Sequence, residues 1–259
     1  MKEFIANLLA AATIAVTALT GVFTPSTPAP VEILNKYEVA QMQTVLIRVD
    51  GGGMGSGVVV KRTNPSGETR FFVWTAAHVV DGAKEIEIVR IGREDNARVD
   101  CELTWSAITI ALSKAEDLAL LWVQTPSEFI LPVEFNFTLP RIGDPIFHVG
   151  NYYGDMYDRS VAVGIVAMIG VHPQLADWPW PLLDQTDLLI VPGSSGGGVF
   201  DANGKVIGLI VGLHTPGISL YVPVREILRW SAISGTTWAL QLDWCPTDES
   251  LTEASLVPK

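Results

Sequence analysis

Ser195 stands in the run Asp187-Leu-Leu-Ile-Val-Pro-Gly-Ser-Ser-Gly-Gly-Gly198, a glycine-dense turn that follows an apolar stretch. A serine hydroxyl is a weak nucleophile until a base takes its proton, so this position needs a histidine and an orienting carboxylate from elsewhere. Two segments supply them. His78 follows the apolar run that ends at Thr75, and Asp117 stands at the mouth of the run 118–123. In such a trio Asp117 accepts a hydrogen bond from His78 Nδ1, which fixes the tautomer and stabilises the imidazolium formed when Nε2 takes the Ser195 proton. The backbone N–H groups of Gly193 and Ser195 are the candidate oxyanion hole, glycine being suited to the unusual dihedrals and close approach of that turn. The chemistry is acyl transfer through an acyl-enzyme.

Each residue has a plainer reading when taken singly. Glycine-rich turns often contain serine, histidines often end strands, and aspartates often cap turns. The order His78, Asp117, Ser195, with each residue at the edge of an apolar run, is that of chymotrypsin-type proteases. Gly193, Ser195 and Gly197 also satisfy G-x-S-x-G, but in α/β-hydrolases the histidine comes last. His214 follows Ser195 too soon for a carboxylate and a crossover to fit between them.

The elements that must position these residues read as all-β. The chain of 259 residues carries 23 glycines and 16 prolines between many short apolar runs, which suits one globular unit of two small barrels. Strands are expected at 44–49, 57–60, 71–75, 86–91, 97–103 and 118–123, then at 145–149, 160–169, 188–191, 205–212 and 218–222. Asn64-Pro-Ser-Gly67 and Asp201-Ala-Asn-Gly204 are hairpin turns, and residues 223–230 form a short closing helix. The expected division is 1–23 as signal peptide or membrane anchor, 24–40 as a Pro/Thr-rich linker, 41–131 and 132–231 as the two barrels, and 232–259 as a C-terminal extension with an acidic tail.

Phe4 to Phe23 is uncharged and mostly apolar, long enough for a helix that spans a bilayer. A cleaved signal peptide reads the same way, with residues 16–18 as a passable cleavage site. Either reading makes the protein exported: secreted, periplasmic or tethered to a membrane through residues 4–23. Cys101 and Cys245 would close a disulfide in an oxidising compartment, or remain two buried thiols; neither has zinc-ligand spacing. His148 and His172 are isolated, so no metal site is read. A net charge of -11 argues against nucleic acid as a partner.

Gln185-Thr-Asp-Leu-Leu-Ile-Val-Pro-Gly-Ser-Ser-Gly-Gly197 is similar to the Q-T-D-A-A-I-N-P-G-N-S-G-G motif of the HtrA (Deg) family of trypsin-like serine proteases. Gly55-Ser-Gly-Val58, Ala77-His-Val-Val-Asp-Gly82, Asp117-Leu-Ala-Leu120, Arg141-Ile-Gly-Asp144, Val149-Gly-Asn151 and the segment 201–208 follow in that family's order. The resemblance covers about residues 44 to 230. It implies two six-stranded antiparallel barrels with the three residues in the cleft between them, and neither metal nor organic cofactor. Ser194, Gly198 and Val191 depart from the usual asparagine, proline and asparagine. Too few residues follow Trp230 for the PDZ domain that the family usually carries, so regulation through one is not expected.

The same resemblance puts Leu189 and Ile190 at the base and wall of the primary specificity pocket, and makes Val211-Gly212-Leu213 the edge strand that pairs with substrate. With no aspartate at position 189, the pocket implies cleavage after small or medium aliphatic residues. The proline- and tryptophan-rich stretch His172 to Pro181 occupies the place of a regulatory loop, with a packed surface loop as the plainer alternative. The activity expected is that of a serine endopeptidase on proteins or peptides; the alternative is a catalytically silent trypsin-like domain used for binding or as a chaperone.

Overall fold

The computed structural model describes residues 34–64, 67–94, 97–124, 131–171, 182–215 and 217–240. The hydrophobic stretch 4–23, the loop 172–181, the C-terminal tail and Cys245 lie outside these residues, as does the side chain of Cys101. Twelve strands close into two antiparallel barrels of six. The first holds β1 (Thr44–Val49), β2 (Met54–Thr63), β3 (Thr69–Thr75), β4 (Ile86–Glu94), β5 (Ala97–Ser113) and β6 (Leu118–Val123), in the closed order β1-β2-β3-β6-β5-β4. The second holds β7 (Pro145–Tyr152), β8 (Tyr157–Val171), β9 (Leu183–Thr186), β10 (Gly198–Asp201), β11 (Val206–Thr215) and β12 (Ile218–Pro223), in the closed order β10-β11-β12-β9-β8-β7. Closure leaves no free sheet edge, and the β-branched and aromatic residues of these runs fill the interiors.

The largest apolar cluster does not stop at the barrel boundary. Val58, Phe72 and Trp74 of the first barrel belong to it together with Phe147, Phe200 and Val211 of the second. Phe147 stacks on Phe200 at 5.1 Å, and Tyr37 packs edge-on against Phe147 at 4.8 Å. The approach is close: a β-carbon on Gly198 would lie 2.8 Å from Val58 Cγ1, and one on Gly196 would lie 2.1 Å from Thr75 Oγ1 and 2.2 Å from Ser56 O. Continuous burial of this kind holds the two barrels as one unit, so residues carried on different barrels keep a fixed geometry.

Among the described residues three α-helices accompany the barrels. The first, α1 (Lys36–Gln43), occupies part of the stretch read from sequence as linker. Its start is a capping box: Asn35 Oδ1 accepts from the N–H groups of Tyr37 and Glu38, while Asn35 N–H donates to Glu38 Oε2 at 2.7 Å. A short helix, α2 (Ala77–Val80), follows β3. The closing helix α3 (Val224–Ser234) runs longer than the expected 223–230 and ends at Gly235 in the left-handed region, φ 72°. Trp230 on α3 meets Trp74, and Trp238 beyond it meets Phe72. Arg62 holds the carbonyls of Trp238 and Ala239, which ties the segment after the second barrel to the first.

The strand expected at 188–191 is displaced. The ladder lies earlier, at Leu183–Thr186, and 188–191 is loop. Side chains there take the place of ladder partners: Leu188 N–H donates to Thr186 Oγ1, Leu188 O accepts from Ser219 Oγ, Leu189 O accepts from Tyr152 OH, and Val191 N–H donates to Ser194 Oγ. An apolar run that satisfies its backbone this way carries no strand signature that periodicity can reveal. Among the described residues no helix is long and apolar enough to cross a membrane.

Candidate active site

Thr75 pairs with Ala119, so the end of β3 lies beside the start of β6. His78 just past β3 and Asp117 just before β6 therefore meet on one rim of the first barrel. Asp117 Oδ1 accepts the His78 backbone N–H at 2.8 Å, and Oδ2 lies 2.7 Å from His78 Nδ1. One carboxylate thus fixes both the backbone and the ring of the histidine and sets the Nδ1–H tautomer. The partners differ in exposure: the Asp117 side chain is 2% exposed and that of His78 46%. Asp117 also sits in the left-handed region, φ 50°, where a non-glycine residue is unusual and where functional sites concentrate strain.

Ser195 arrives from the second barrel, in the turn that leads into β10. Ser56 of β2 donates its N–H to Ser195 O at 2.7 Å. A β-carbon on the adjacent Gly55 would meet both Val79, the neighbour of His78, and Ser195 O. The serine turn and the histidine helix therefore flank the same strand. Ser195 Oγ makes no hydrogen bond to His78 among the described residues. Such contacts are commonly long in the resting state and tighten once substrate is seated.

The backbone of the turn is accounted for group by group. Ser194 N–H goes to Val191 O, Gly196 N–H to Ile210 O, and Gly197 N–H to Ser194 O. From 193 to 197, only the N–H groups of Gly193 and Ser195 lack an acceptor among the described residues. Pro192 O accepts from Tyr153 N–H at 2.7 Å. Across a trans peptide the C=O and N–H point oppositely, so this bond turns the Gly193 N–H away from Tyr153. Gly193 has φ 93°, and a β-carbon there would lie 2.1 Å from Asn151 O; only glycine fits.

Behind the turn are residues whose positions the sequence marks but whose roles it does not. Ser56 and Asn151 fall within the quoted motifs Gly55-Ser-Gly-Val58 and Val149-Gly-Asn151. His148 lies fully buried beneath the serine turn, stacked on Tyr152, with Nδ1 donating to Gly198 O at 2.9 Å. Its ring occupies the space that the missing β-carbons of Gly150 and Gly197 leave. Burial drives its pKa down to about 4, against a smaller upward pull from Gly198 O, so the ring is neutral.

Residues 55–209 match the family model described as the trypsin-like peptidase domain, more than half of the chain. The chain belongs to the trypsin-like peptidase family. Its relatives include the periplasmic pH-dependent serine endoprotease DegQ of Escherichia coli K12, 30% identical over 64% of this chain. Another is Protease Do-like 1, chloroplastic, of Arabidopsis thaliana, 25% identical over 63% of this chain. The chain spans 32% and 38% of their respective lengths. Among solved structures, the HtrA-type protease AlgW with a tripeptide superposes with a TM-score of 0.61 at 23% identity, covering 77% of this chain and 62% of that one. Deg5 superposes with 0.58 at 22% identity, covering 75% of this chain and 90% of that one. These superpositions establish the shared fold.

On the side where substrate is expected, this peptidase presents unequal groups. Leu189 is 69% exposed, whereas Ile190 is buried among Ile146, Val199 and Ile210 inside the second barrel. Val211 is buried at a break in the β11–β12 register, and a β-carbon on Gly212 would meet nothing within 4 Å. Leu213 continues β11, its side chain outside the described residues, as are those of His214 and His172.

Proposed function

We propose that this peptidase is a serine endopeptidase in which Ser195 is the nucleophile, His78 the general base and then acid, and Asp117 the group that orients the imidazole. The observation that carries the reading is the double hold of Asp117 on His78, which leaves Nε2 uncommitted, beside the approach of Val79 and of Ser195 O to the same Gly55 of β2. Ser195 Oγ attacks the scissile carbonyl carbon as its proton passes to His78 Nε2; the imidazolium returns that proton to the leaving amine, and water repeats the sequence on the acyl-enzyme. The two uncommitted N–H groups, of Gly193 and Ser195, point the reading to an oxyanion hole. The family to which the chain belongs, and the serine proteases among its relatives, support the same chemistry.

Substrates are protein chains cleaved after small or medium aliphatic residues. The exposed Leu189 and the open space over Gly212 favour an apolar pocket, with Val211-Gly212-Leu213 as the strand that pairs with substrate. The periplasmic and chloroplastic names of the relatives, together with the apolar stretch 4–23, favour an exported protein whose leader is either removed or kept as a tether. The test is reaction of the full chain with a fluorophosphonate probe beside Ser195→Ala and His78→Ala. Labelling confined to the unsubstituted protein is the expected result. A folded protein that does not label would replace the reading with that of a binding module, and a peptide library cut only after lysine or arginine would refute the apolar pocket.

A further inference from the structure

We propose that Ser56 is a positioning residue for acyl transfer, anchoring the Gly193–Ser194 peptide and so limiting rotation at Gly193, whose N–H, in the preceding Pro192–Gly193 peptide, is the candidate oxyanion donor. The role rests on Ser195 being the nucleophile, and it concerns a residue of the first barrel that touches no substrate. Ser56 is fully buried, and its hydroxyl is saturated. It donates to Gly193 O at 2.7 Å and accepts from Asn151 N–H at 2.8 Å and from Asn151 Nδ2 at 3.1 Å. With both incoming bonds supplied by Asn151, the single hydroxyl proton is directed to Gly193 O.

The backbone of the same residue grips the other end of the tripeptide, Ser56 N–H donating to Ser195 O. Ser56 therefore brackets Gly193, Ser194 and Ser195, the segment whose first and last N–H groups are free. Gly193 is the natural pivot of that segment, since it has no side chain to resist rotation. Both flanking peptides are held by their carbonyls: Pro192 O by Tyr153 N–H, and Gly193 O by Ser56 Oγ. Tyr153 acts through its backbone, which most substitutions leave in place. The hydroxyl is the part of the clamp that a side-chain substitution removes, and without it Gly193 O and the buried Asn151 N–H both lose that partner. Turning the Gly193–Ser194 peptide to recover hydrogen bonds would change the dihedral angles at Gly193 and pull Ser194 N–H off Val191 O, loosening the turn that sets the two free N–H groups.

Asn151 is in turn held by Val45 O, through Nδ2 at 2.9 Å, and by Arg159 N–H, through Oδ1 at 3.1 Å. The clamp thus joins β1 and β2 of the first barrel to β7 and β8 of the second. The oxyanion donors belong to the second barrel while the base belongs to the first, and Ser56 sets one against the other.

The experiment measures kcat and KM of the full chain on an aliphatic peptide anilide, with inhibition by the matching trifluoromethyl ketone, whose hemiketal carries an oxyanion, and by the matching alcohol, which forms none. For Ser56→Ala, kcat falls about ten- to a hundredfold with KM nearly unchanged. Affinity for the ketone falls by the same factor and that for the alcohol does not. Ser56→Cys keeps the shape with a far weaker donor, and supplies the second arm if alanine does not fold; it shows the same pattern. Wild-type kcat and ketone affinity in either folded variant, or equal losses for ketone and alcohol, would overturn the role of Ser56 alone. An unsubstituted protein that neither turns over nor labels at Ser195 would overturn the acyl-enzyme reading and this role with it.

Discussion

Replacing His148 by asparagine isolates one buried titratable group beneath the serine turn. Asparagine keeps a donor at the δ position for Gly198 O but cannot be protonated in the relevant range. In the folded protein the His148 pKa is depressed to about 4 from an ordinary 6.5, chiefly by burial. Between those values the unfolded chain binds a proton that the folded chain does not. Stability therefore falls as pH drops through that window, and the loss is complete below about pH 4. At 1.36 kcal/mol per pKa unit the full effect is about 3 kcal/mol, and between about pH 7.5 and about pH 5 it is about 2 kcal/mol. The ring contacts seen are Gly198 O, the Tyr152 ring and the close-packed Gly150 and Gly197, none of them a carboxylate that would favour the imidazolium. The assay is urea unfolding of both proteins at the two pH values, in which all other titrating groups contribute equally and cancel in the double difference. The variant should lose about 2 kcal/mol less than the unsubstituted protein on acidification. Parallel pH dependences, or an imidazole resonance of His148 titrating above about pH 6, would refute the assignment of a buried, neutral ring.

Gly193→Ala places a methyl group against Asn151 O at a φ that L-residues avoid; turnover of a peptide anilide should fall about a hundredfold or more while the circular dichroism spectrum stays native. Wild-type turnover would mean that the N–H of residue 193 is not used. Arg225→Ala strips the fully buried Asp184 of a two-pronged partner at 2.6 and 2.8 Å and leaves it the Gly170 N–H. Urea unfolding should then report a loss of about 3 kcal/mol, and a loss below about 1 kcal/mol would show that Asp184 takes up a proton or finds water instead.

The strands that carry the site were legible because their apolar runs are bounded by turn residues. Residues 44–49, 118–123 and 218–222 are strands as read, and Asp201 caps its hairpin through bonds to the N–H groups of Asn203 and Lys205. The failures have physical causes. Leu188 to Val191 looks like a strand by composition, but its backbone is satisfied by Thr186, Ser194, Ser219 and Tyr152, contacts that no local pattern encodes. The short strand 198–201 is hidden behind the glycines of the serine turn. The helix at 36–43 is not read from sequence, where residues 24–40 are assigned to a linker; the capping box of Asn35 and Glu38 is seen only in the structure.

Residue type and order alone specified the candidate chemistry: a serine among glycines, a histidine after one apolar run and an aspartate before another admit few alternatives that run in the same sequence. What they could not specify is how the three are held. The 2.7 Å contact between His78 and Asp117 follows from the register of β3 against β6, and the placement of Ser195 from packing of one barrel on the other. The proposed role of Ser56 and the buried contacts of Asn151 and His148 arise in the same way. A serine, an asparagine or a histidine has no special reactivity where it stands in the chain; its function comes from what burial and closure of the barrels bring within hydrogen-bonding distance, and those contacts link residues far apart in sequence.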